Sequence, residues 1–427
     1  MNDLKAFILA NAESSEMGSK YSKFSKRLLG KPLIGWTYDA LKGAGIDEYI
    51  AILGQNNNQI TEYLGESVKY VITDKQLQID HVYAQIKQHF HGTEGNILLI
   101  SGDIPLISSK TILEALEHHK VNKNCATVIK GEVALSDKET EFSVFILKAE
   151  RMSEAIDDAI ENGSNKILSL KEIQAFTERK SLKVGIFKVI DTNEIKCVSN
   201  GIQFSQAAKI LRKQILYHFM NSGVTIIDPE TTYIDAGVEI GRDTVIYPGT
   251  IIEGRTVIGE DCIIGPNSRL VSSYIGNEVE IANSIVKESS IDDKTNIGPF
   301  AYLRPESKIG KQVKIGDFVE IKKSTIGDCT KISHLTYVGD AEIGSNVNLG
   351  CGVVVVNYDG KNKNKTIVED NAFIGCNVNL VAPVTVRSNA FVAAGSTITE
   401  EVPRDSLAIA RSRQILKEDW VNNRKDK

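Results

Sequence analysis

The 427-residue chain has no apolar run of the ~18 residues that a membrane-spanning helix needs, so a transmembrane helix is excluded. Its start, Met1-Asn2-Asp3-Leu4-Lys5, lacks a basic stretch leading into a long apolar one, and no secretory signal is expected. Cysteine is scarce. The six (Cys125, Cys197, Cys262, Cys329, Cys351, Cys376) form no Cys-x-x-Cys pair, which argues against a zinc ribbon and a disulfide framework. Reduced thiols in a cytoplasmic protein are expected. An excess of positive charge is also missing: 50 Lys and Arg against 55 Asp and Glu give a net charge of −5 and a pI near 5.9. That argues against a general nucleic-acid binder. Disorder throughout is excluded by 42% hydrophobic and 25% charged residues. At roughly 100–200 residues per domain, the length predicts two to four domains.

What is present divides into two halves. From about residue 228, aliphatic residues recur every six positions: Ile234, Ile240, Ile246, Ile252, Ile258, Ile264, Leu270. The phase slips and resumes at Ile285, Ile291, Ile297, Leu303, Ile309, Ile315 and Ile321. Five-residue steps then lead to Ile326, Ile332, Val338 and to Ile343, Leu349, Val355. A last run is Val368, Ile374, Leu380, Val386, Val392, Ile398. Such a period belongs to neither a helix nor a simple strand. It predicts a left-handed parallel β-helix of hexapeptide repeats, with one aliphatic residue per hexad pointing inward. A β-sandwich of evenly spaced strands would not hold so many positions in phase.

The first 200 or so residues carry short continuous apolar runs, Ala6-Phe7-Ile8-Leu9 and Ile97-Leu98-Leu99-Ile100. Helix-like stretches at 33–44 and 81–90 alternate with them, which predicts an α/β layer around a buried parallel sheet. Residues 202–221 place Phe204, Ala208, Leu211, Ile215 and Phe219 at helical spacing, with Gly223 as a C-terminal cap. The expected organisation is an α/β domain over 1–201, a helical connector over 202–227, a β-helix over 228–402 and a polar tail over 403–427.

Of seven histidines only His334 lies in the repeats. Stacked coils bring residues about one coil apart side by side. Glu320, Lys322, Tyr337, Asn348, Asn357 and Tyr358 fall within about two coils of His334, and Arg304 one coil earlier. The repeats are interrupted by a polar segment, 357–366, rich in lysine, which must project. Projecting loops on rigid scaffolds commonly carry function, and lysines there could grip a phosphate. A merely solvated charged loop is the alternative.

Arg304-Pro305-Glu306, Phe318-Val319-Glu320-Ile321-Lys322-Lys323, His334-Leu335-Thr336-Tyr337, Asn357-Tyr358-Asp359-Gly360, Leu380-Val381-Ala382-Pro383-Val384 and Ala408-Ile409-Ala410-Arg411 resemble one family. It is the bacterial bifunctional enzyme that joins a glucosamine-1-phosphate N-acetyltransferase to an N-acetylglucosamine-1-phosphate uridylyltransferase, in the synthesis of UDP-N-acetylglucosamine for the cell envelope. The resemblance runs over nearly the whole chain and is densest over 228–411. It implies a nucleotidyltransferase-like, Rossmann-like first domain and a homotrimer of β-helices with acetyltransferase sites at the subunit interfaces.

The resemblance further implies roles. His334 would be the general base for the sugar amine, Glu320 would orient it, and the amine would attack acetyl-CoA. Arg304, Lys322, Tyr337 and Asn348 would hold glucosamine-1-phosphate. Asn357 would position the acetyl group and its developing oxyanion. Cys351, Tyr358, Lys363, Cys376, Ala394 and Arg411 would face coenzyme A. Cys351 stands where the family more often has Ala, and Cys376 where it has Ser; a covalent acetyl-enzyme and a simple packing change are the two readings of Cys351.

The first domain departs from the family pattern. The glycine-rich loop Leu-x-x-Gly-x-Gly-Thr-Arg-Met is replaced by Leu9-Ala10-Asn11-Ala12-Glu13-Ser14-Ser15-Glu16-Met17, with both glycines gone and two carboxylates added. Gln-Leu-Gly-Thr-Gly-His is replaced by Gln76-Leu77-Gln78-Ile79-Asp80-His81, and Ser199 stands in place of a magnesium-binding Asn. Lys23, Gly30-Lys31-Pro32 and Gly102-Asp103-Ile104-Pro105-Leu106 survive, leaving Asp103 as candidate magnesium ligand. The expectation is therefore a degenerate uridylyltransferase domain beside an acetyltransferase, with Mg²⁺ relevant only if uridylyl transfer persists. A full bifunctional enzyme and a non-catalytic scaffold are the alternatives. A β-helix carbonic anhydrase is excluded, because it needs three zinc-bound histidines.

Overall fold

The computed structural model describes residues 4–11, 22–54, 57–73, 85–89, 95–131, 144–162 and 170–424. They form two compact units, Met1–Arg212 and Lys213–Lys427.

The first unit is built on a seven-stranded sheet among the described residues. Its order is Val68–Ile72, Glu48–Leu53, Leu4–Ala10, Asn96–Ser101, Val144–Lys148, Ala126–Gly131 and Val184–Val189. Val144–Lys148 runs antiparallel to both neighbours and the other pairings are parallel. The central strands are apolar on both faces because helices cover both. Ala6, Ile8, Leu98 and Ile100 pack with Ile34, Leu41, Ile60 and Ile112 on one side. Phe7, Leu9, Ile97 and Leu99 pack with Met152, Ile156 and Phe176 on the other. The expected helix at 33–44 is Leu33–Gly43; that at 81–90 lies mostly outside the described residues.

Helix Ser109–Val121 starts at Ser108, whose Oγ accepts from the Thr111 amide at 3.1 Å. Near its end His119 is buried, with Nδ1 2.9 Å from Thr127 Oγ1 and Nε2 3.1 Å from Asn96 Oδ1. Burial, aided by nearby Lys148, pulls its pKa from 6.5 down to about 4. The unfolded chain therefore takes up a proton that the folded chain refuses once the pH falls below 6.5. Stability contributed by the neutral ring is full above that value and declines as the pH drops toward 4, by at most roughly 1.4 kcal/mol per pH unit. Melting of the first unit followed by circular dichroism at pH 7.5, 6.0 and 5.0 should show this decline, and His119→Gln should flatten it.

Helix Gly201–Asn221 follows. Ala207 and Leu211 pack on Leu28, Leu33 and Val198 in the first unit. Leu216 and Phe219 pack on Val224, Ile226 and Ile234 in the second. Gly223 ends the helix at φ 97, and the Val224 amide reaches back to the Phe219 carbonyl at 3.1 Å. The left-handed conformation suits glycine, as the spacing predicts.

The second unit is a left-handed β-helix whose three walls are parallel sheets of 11, 10 and 9 short strands. Each strand pairs in register with the one a coil later, as Ile246 with Ile264 and Ile264 with Ile281. The inward aliphatics are nearly all fully buried, and Ile234, Ile252, Leu270, Val286, Leu303, Ile321, Val338, Val355, Leu380 and Ile398 form one ladder. Each such side chain contributes about 1.5–3 kcal/mol by leaving water. One position differs from the sequence reading: Val286 points inward and Ile285 is exposed. The phase slip is three corners shortened to five residues (Leu270 to Ile275, Ile281 to Val286, Val286 to Ile291), which moves the inward residue by one.

Corners take the left-handed backbone, mostly at Asn, Asp and Gly. One corner ladder instead carries Phe300, Phe318 and Leu335 at φ 60, 56 and 49, each more than half exposed. The two rings stack at 5.4 Å. Toward the end of the chain, Leu407–Ala408 still pairs on Phe391–Val392; beyond it, the described residues to Arg424 are exposed.

Candidate functional site

Two adjoining walls carry the chemistry of the β-helix. On one wall, strands Tyr302–Leu303, Glu320–Lys322 and Tyr337–Gly339 lie side by side, so Glu320 is in register with Tyr337 and Lys322 with Gly339. Arg304 follows Leu303 and pairs with Glu320, Nη1 to Oε1 2.8 Å. Lys322 Nζ lies 3.3 Å from Asp340 Oδ2, both side chains largely buried, and the same carboxylate oxygen accepts from Asn357 Nδ2 at 2.5 Å. Lys363, on the projecting loop, lies close enough to Lys322 that the neighbouring ammonium pulls its own below the ordinary lysine value. Two lysines and an arginine converging against fewer carboxylates make a site for an anion.

The loop itself is ordered by Asp359. Its carboxylate accepts from the Asn362, Lys361 and Asn364 N–H groups at 2.6, 2.8 and 3.0 Å, which hold it below the usual carboxylate range. Tyr358 is exposed and donates to the Gly360 carbonyl at 2.7 Å, while its backbone bridges Lys363.

Gly339 lies beneath this cluster. A Cβ there would collide with the Tyr337 hydroxyl and press on Asn357 Nδ2, 2.8 Å away. Gly339→Ala should therefore displace functional side chains more than backbone. We expect about a tenfold loss of kcat/KM, some 1.4 kcal/mol, with a melting temperature within a few degrees of the parent; steady-state kinetics and a thermal melt check it.

His334 stands on the other wall, at the end of strand Lys331–His334, across the Phe318 and Leu335 corner. Its carboxylate partner is not Glu320. Asp317, directly in register one coil below, lies 2.5 Å from His334 Nδ1 (through Oδ1), and that hydrogen bond pulls the Asp317 carboxyl below its ordinary range. The corner at Phe318 turns the chain, so Glu320 falls on the neighbouring wall under Tyr337, where Arg304 engages it.

Above His334 the same corner ladder continues through Cys351, Cys376 and Ala394, linked by backbone bonds Asn377 to Cys351 and Gly395 to Cys376, both 2.8 Å. Arg411 lies at its top, beside Gly395. Asn348 sits on the His334 wall next to Lys331, apart from the Arg304–Lys322 cluster. The structure thus gathers Arg304, Glu320, Lys322, Tyr337, Asn357 and Lys363 in one group. His334, Cys351, Cys376 and Ala394 form a ladder beside it. Asp317 and Asp340 are the residues that sequence reasoning missed; each lies one coil from a residue it did single out, so the strand register would have found both.

In the first unit, Asp103 follows strand Asn96–Ser101, at the carboxyl end of the parallel strands, where open α/β sheets bind ligands. It is nearly buried, paired with Lys23 at 2.7 Å and accepting from Ser101 Oγ at 2.5 Å. Among the described residues no group of three or more His, Cys, Asp or Glu could hold a metal ion. A lone Asp still fits Mg²⁺, which usually takes one or two carboxylates together with water and substrate phosphates. Most of the altered stretches at 9–17 and 76–81 lie outside the described residues.

Relatives resolve what this arrangement belongs to. The chain is 50% identical to the bifunctional protein GlmU of Acetivibrio thermocellus, covering 99% of this chain and 98% of that one. It is 43% identical to that of Caldanaerobacter subterraneus subsp. tengcongensis, with 99% of each covered. The chain belongs to the GlmU family of bifunctional proteins. The GlmU protein of Clostridioides difficile, 40% identical, covers 100% of this chain. Family models agree in their parts: a MobA-like NTP transferase domain over residues 6–174, bacterial transferase hexapeptide repeats over 237–271, and the C-terminal domain of GMPPB over 285–406. The match over 6–174 corrects one expectation. It spans the stretch that lost its glycines, so the first domain of this GlmU-family chain is a recognisable NTP transferase domain, and its reading as degenerate is withdrawn. No helix among the described residues is long and apolar enough to cross a membrane.

Proposed function

We propose that the chain performs both reactions of its family: acetyl transfer from acetyl-CoA to glucosamine-1-phosphate, then uridylyl transfer from UTP to the resulting N-acetylglucosamine-1-phosphate. The second reading, acetyl transfer alone, draws on Glu13 and Glu16, acidic where the family loop is not. The full-length likeness to bifunctional relatives favours the first.

The acetyl transfer rests on one observation above the others: three cations, Arg304, Lys322 and Lys363, converge beside Tyr337, one corner from a carboxylate-bound histidine. The cations take the sugar phosphate, with Asn348 contributing from the neighbouring wall. His334 removes a proton from the sugar amine, which attacks the thioester carbonyl; the C–N bond forms, the C–S bond breaks and the coenzyme leaves as a thiol. Asn357 has two amide N–H donors. One is occupied by Asp340, and the other serves the acetyl oxygen as it becomes an oxyanion. Tyr358, Cys351, Cys376, Ala394 and Arg411 face coenzyme A, with Arg411 and Lys363 available to its phosphates.

In the first domain Lys23 and Asp103 are the groups on hand for the nucleotide. Mg²⁺, held by Asp103 together with phosphates, would supply charge neutralisation. The exposed ladder of Phe300, Phe318 and Leu335 supports a homotrimer. Apolar residues in a left-handed backbone cost roughly 1–2 kcal/mol each, and burial against a second copy offsets that. A cytoplasmic location follows from the substrates.

The test follows thiol release with acetyl-CoA and either glucosamine-1-phosphate or glucose-1-phosphate. Release with the amino sugar alone supports the reading. Release with neither overturns the acetyl-transfer half of the reading; absence of pyrophosphate release from UTP and N-acetylglucosamine-1-phosphate as well would favour a scaffold.

A further inference from the structure

The base reading of His334 leaves open which ring nitrogen takes the proton and what sets it. Asp317 answers both. Strands Lys314–Asp317 and Lys331–His334 are in register along their length, Lys314 beside Lys331 and Asp317 beside His334. Asp317 is therefore fixed under the imidazole by the coil repeat itself, at 2.5 Å. Gly316, just before it, has no room for a side chain: a Cβ would run into the Ser333 backbone carbonyl. Such close stacking leaves this rung little freedom to slide. The Leu335 amide also bonds to the Asp317 carbonyl at 3.0 Å, tying the two rungs on the far side of the histidine.

A carboxylate accepts hydrogen bonds and cannot donate them. The Asp317 carboxyl is ionised at neutral pH, since the histidine holds it below its ordinary range. The proton of a neutral imidazole must then sit on Nδ1, and the lone pair on Nε2. We infer that Asp317, not Glu320, is the positioning residue of the acetyl-transfer site: it fixes the Nδ1–H tautomer of His334, presents Nε2 to the sugar amine and stabilises the imidazolium that forms when the amine proton arrives. Glu320 belongs instead to the anion group, where it holds the Arg304 guanidinium. This rests on the acetyltransferase reading for its consequence, but the tautomer itself does not.

Two measurements separate these. Long-range ¹⁵N–¹H correlation on histidine-labelled full-length protein, with His334 assigned by its loss in His334→Ala, should show an Nδ1–H tautomer that gives way in Asp317→Asn. An Nε2–H tautomer, or one unmoved by the substitution, overturns the inference whatever the enzyme turns over. In kinetics, Asp317→Asn should lower kcat for acetyl transfer about 10²-fold with both KM values within threefold, whereas Glu320→Gln should raise KM for the sugar phosphate. Asp317→Asn placed on His334→Ala should cost nothing further, because the aspartate acts only through the ring. A full additional loss in the double variant would mark Asp317 as merely structural and overturn its positioning role. A wild-type protein without acetyl transfer, but with the Nδ1–H tautomer, would instead overturn the acetyltransferase reading.

Discussion

His334→Ala should lower the kcat of acetyl transfer by about 10²–10⁴-fold, the range that a positioned general base contributes. The side chain is exposed at a coil corner, where its hydrogen-bond partner is Asp317. Its removal leaves the inward ladder of Ile315, Ile332 and Leu349 untouched. Surface substitutions of that kind usually shift stability by no more than ~0.5 kcal/mol. The melting curve should therefore coincide with the parent, and so should uridylyl transfer, whose site is in the other unit. KM for glucosamine-1-phosphate should change little, since the phosphate is held on the neighbouring wall. Thiol release under saturating substrates, with pyrophosphate release measured on the same preparation, checks all of this. Near-parental thiol release would remove His334 from the mechanism.

Lys322→Ala should be as damaging, by a different route. The lysine faces the expected phosphate and is bound to Asp340, itself largely buried. Truncation removes a charge-assisted contact, typically ~1.5–3 kcal/mol. It also leaves the Asp340 carboxylate facing the position of the phosphate with no cation between them. Both changes oppose anion binding, so KM for the sugar phosphate should rise about 10²-fold or more, some 2.7 kcal/mol. Adding Asp340→Ala should recover part of that loss, because the repelling carboxylate goes as well. A double variant worse than Lys322→Ala would show that Asp340 acts chiefly by holding Asn357. Initial rates over a range of glucosamine-1-phosphate concentrations separate the two.

Much of this fold is legible in the sequence because the β-helix repeats one physical rule: one aliphatic side chain per hexad must leave water. Where the rule is locally satisfied by either of two neighbours, it loses its resolving power. Ile285 and Val286 are both aliphatic, and only the shortened corners decide that Val286 turns inward. The α/β unit is legible for a similar reason, since strands covered on both faces read as unbroken apolar runs.

The site is legible as composition and less so as geometry. Lys322, Tyr337 and Asn357 come together as their coil spacing implies. Glu320 illustrates the limit. It lies closer to His334 in sequence than Asp317 does, but a wall change at Phe318 intervenes. Proximity in a solenoid is set by register, and the register here is Asp317 to His334. Asp340 was missed for a related reason: at a corner an aspartate reads as a turn residue, and only the structure shows its carboxylate shared between Lys322 and Asn357. In the first domain, the lost glycines of one loop point to lost function, whereas the NTP transferase match runs across that loop from residue 6 to 174.

The bifunctional reading is tested most directly in a single vessel containing the purified full-length chain, glucosamine-1-phosphate, acetyl-CoA, UTP and Mg²⁺, followed by phosphorus NMR. The sugar phosphate monoester should give way to the paired diphosphate resonances of a UDP-sugar, with pyrophosphate appearing alongside. Accumulation of N-acetylglucosamine-1-phosphate with UTP unconsumed would contradict it, and would assign acetyl transfer alone to this chain.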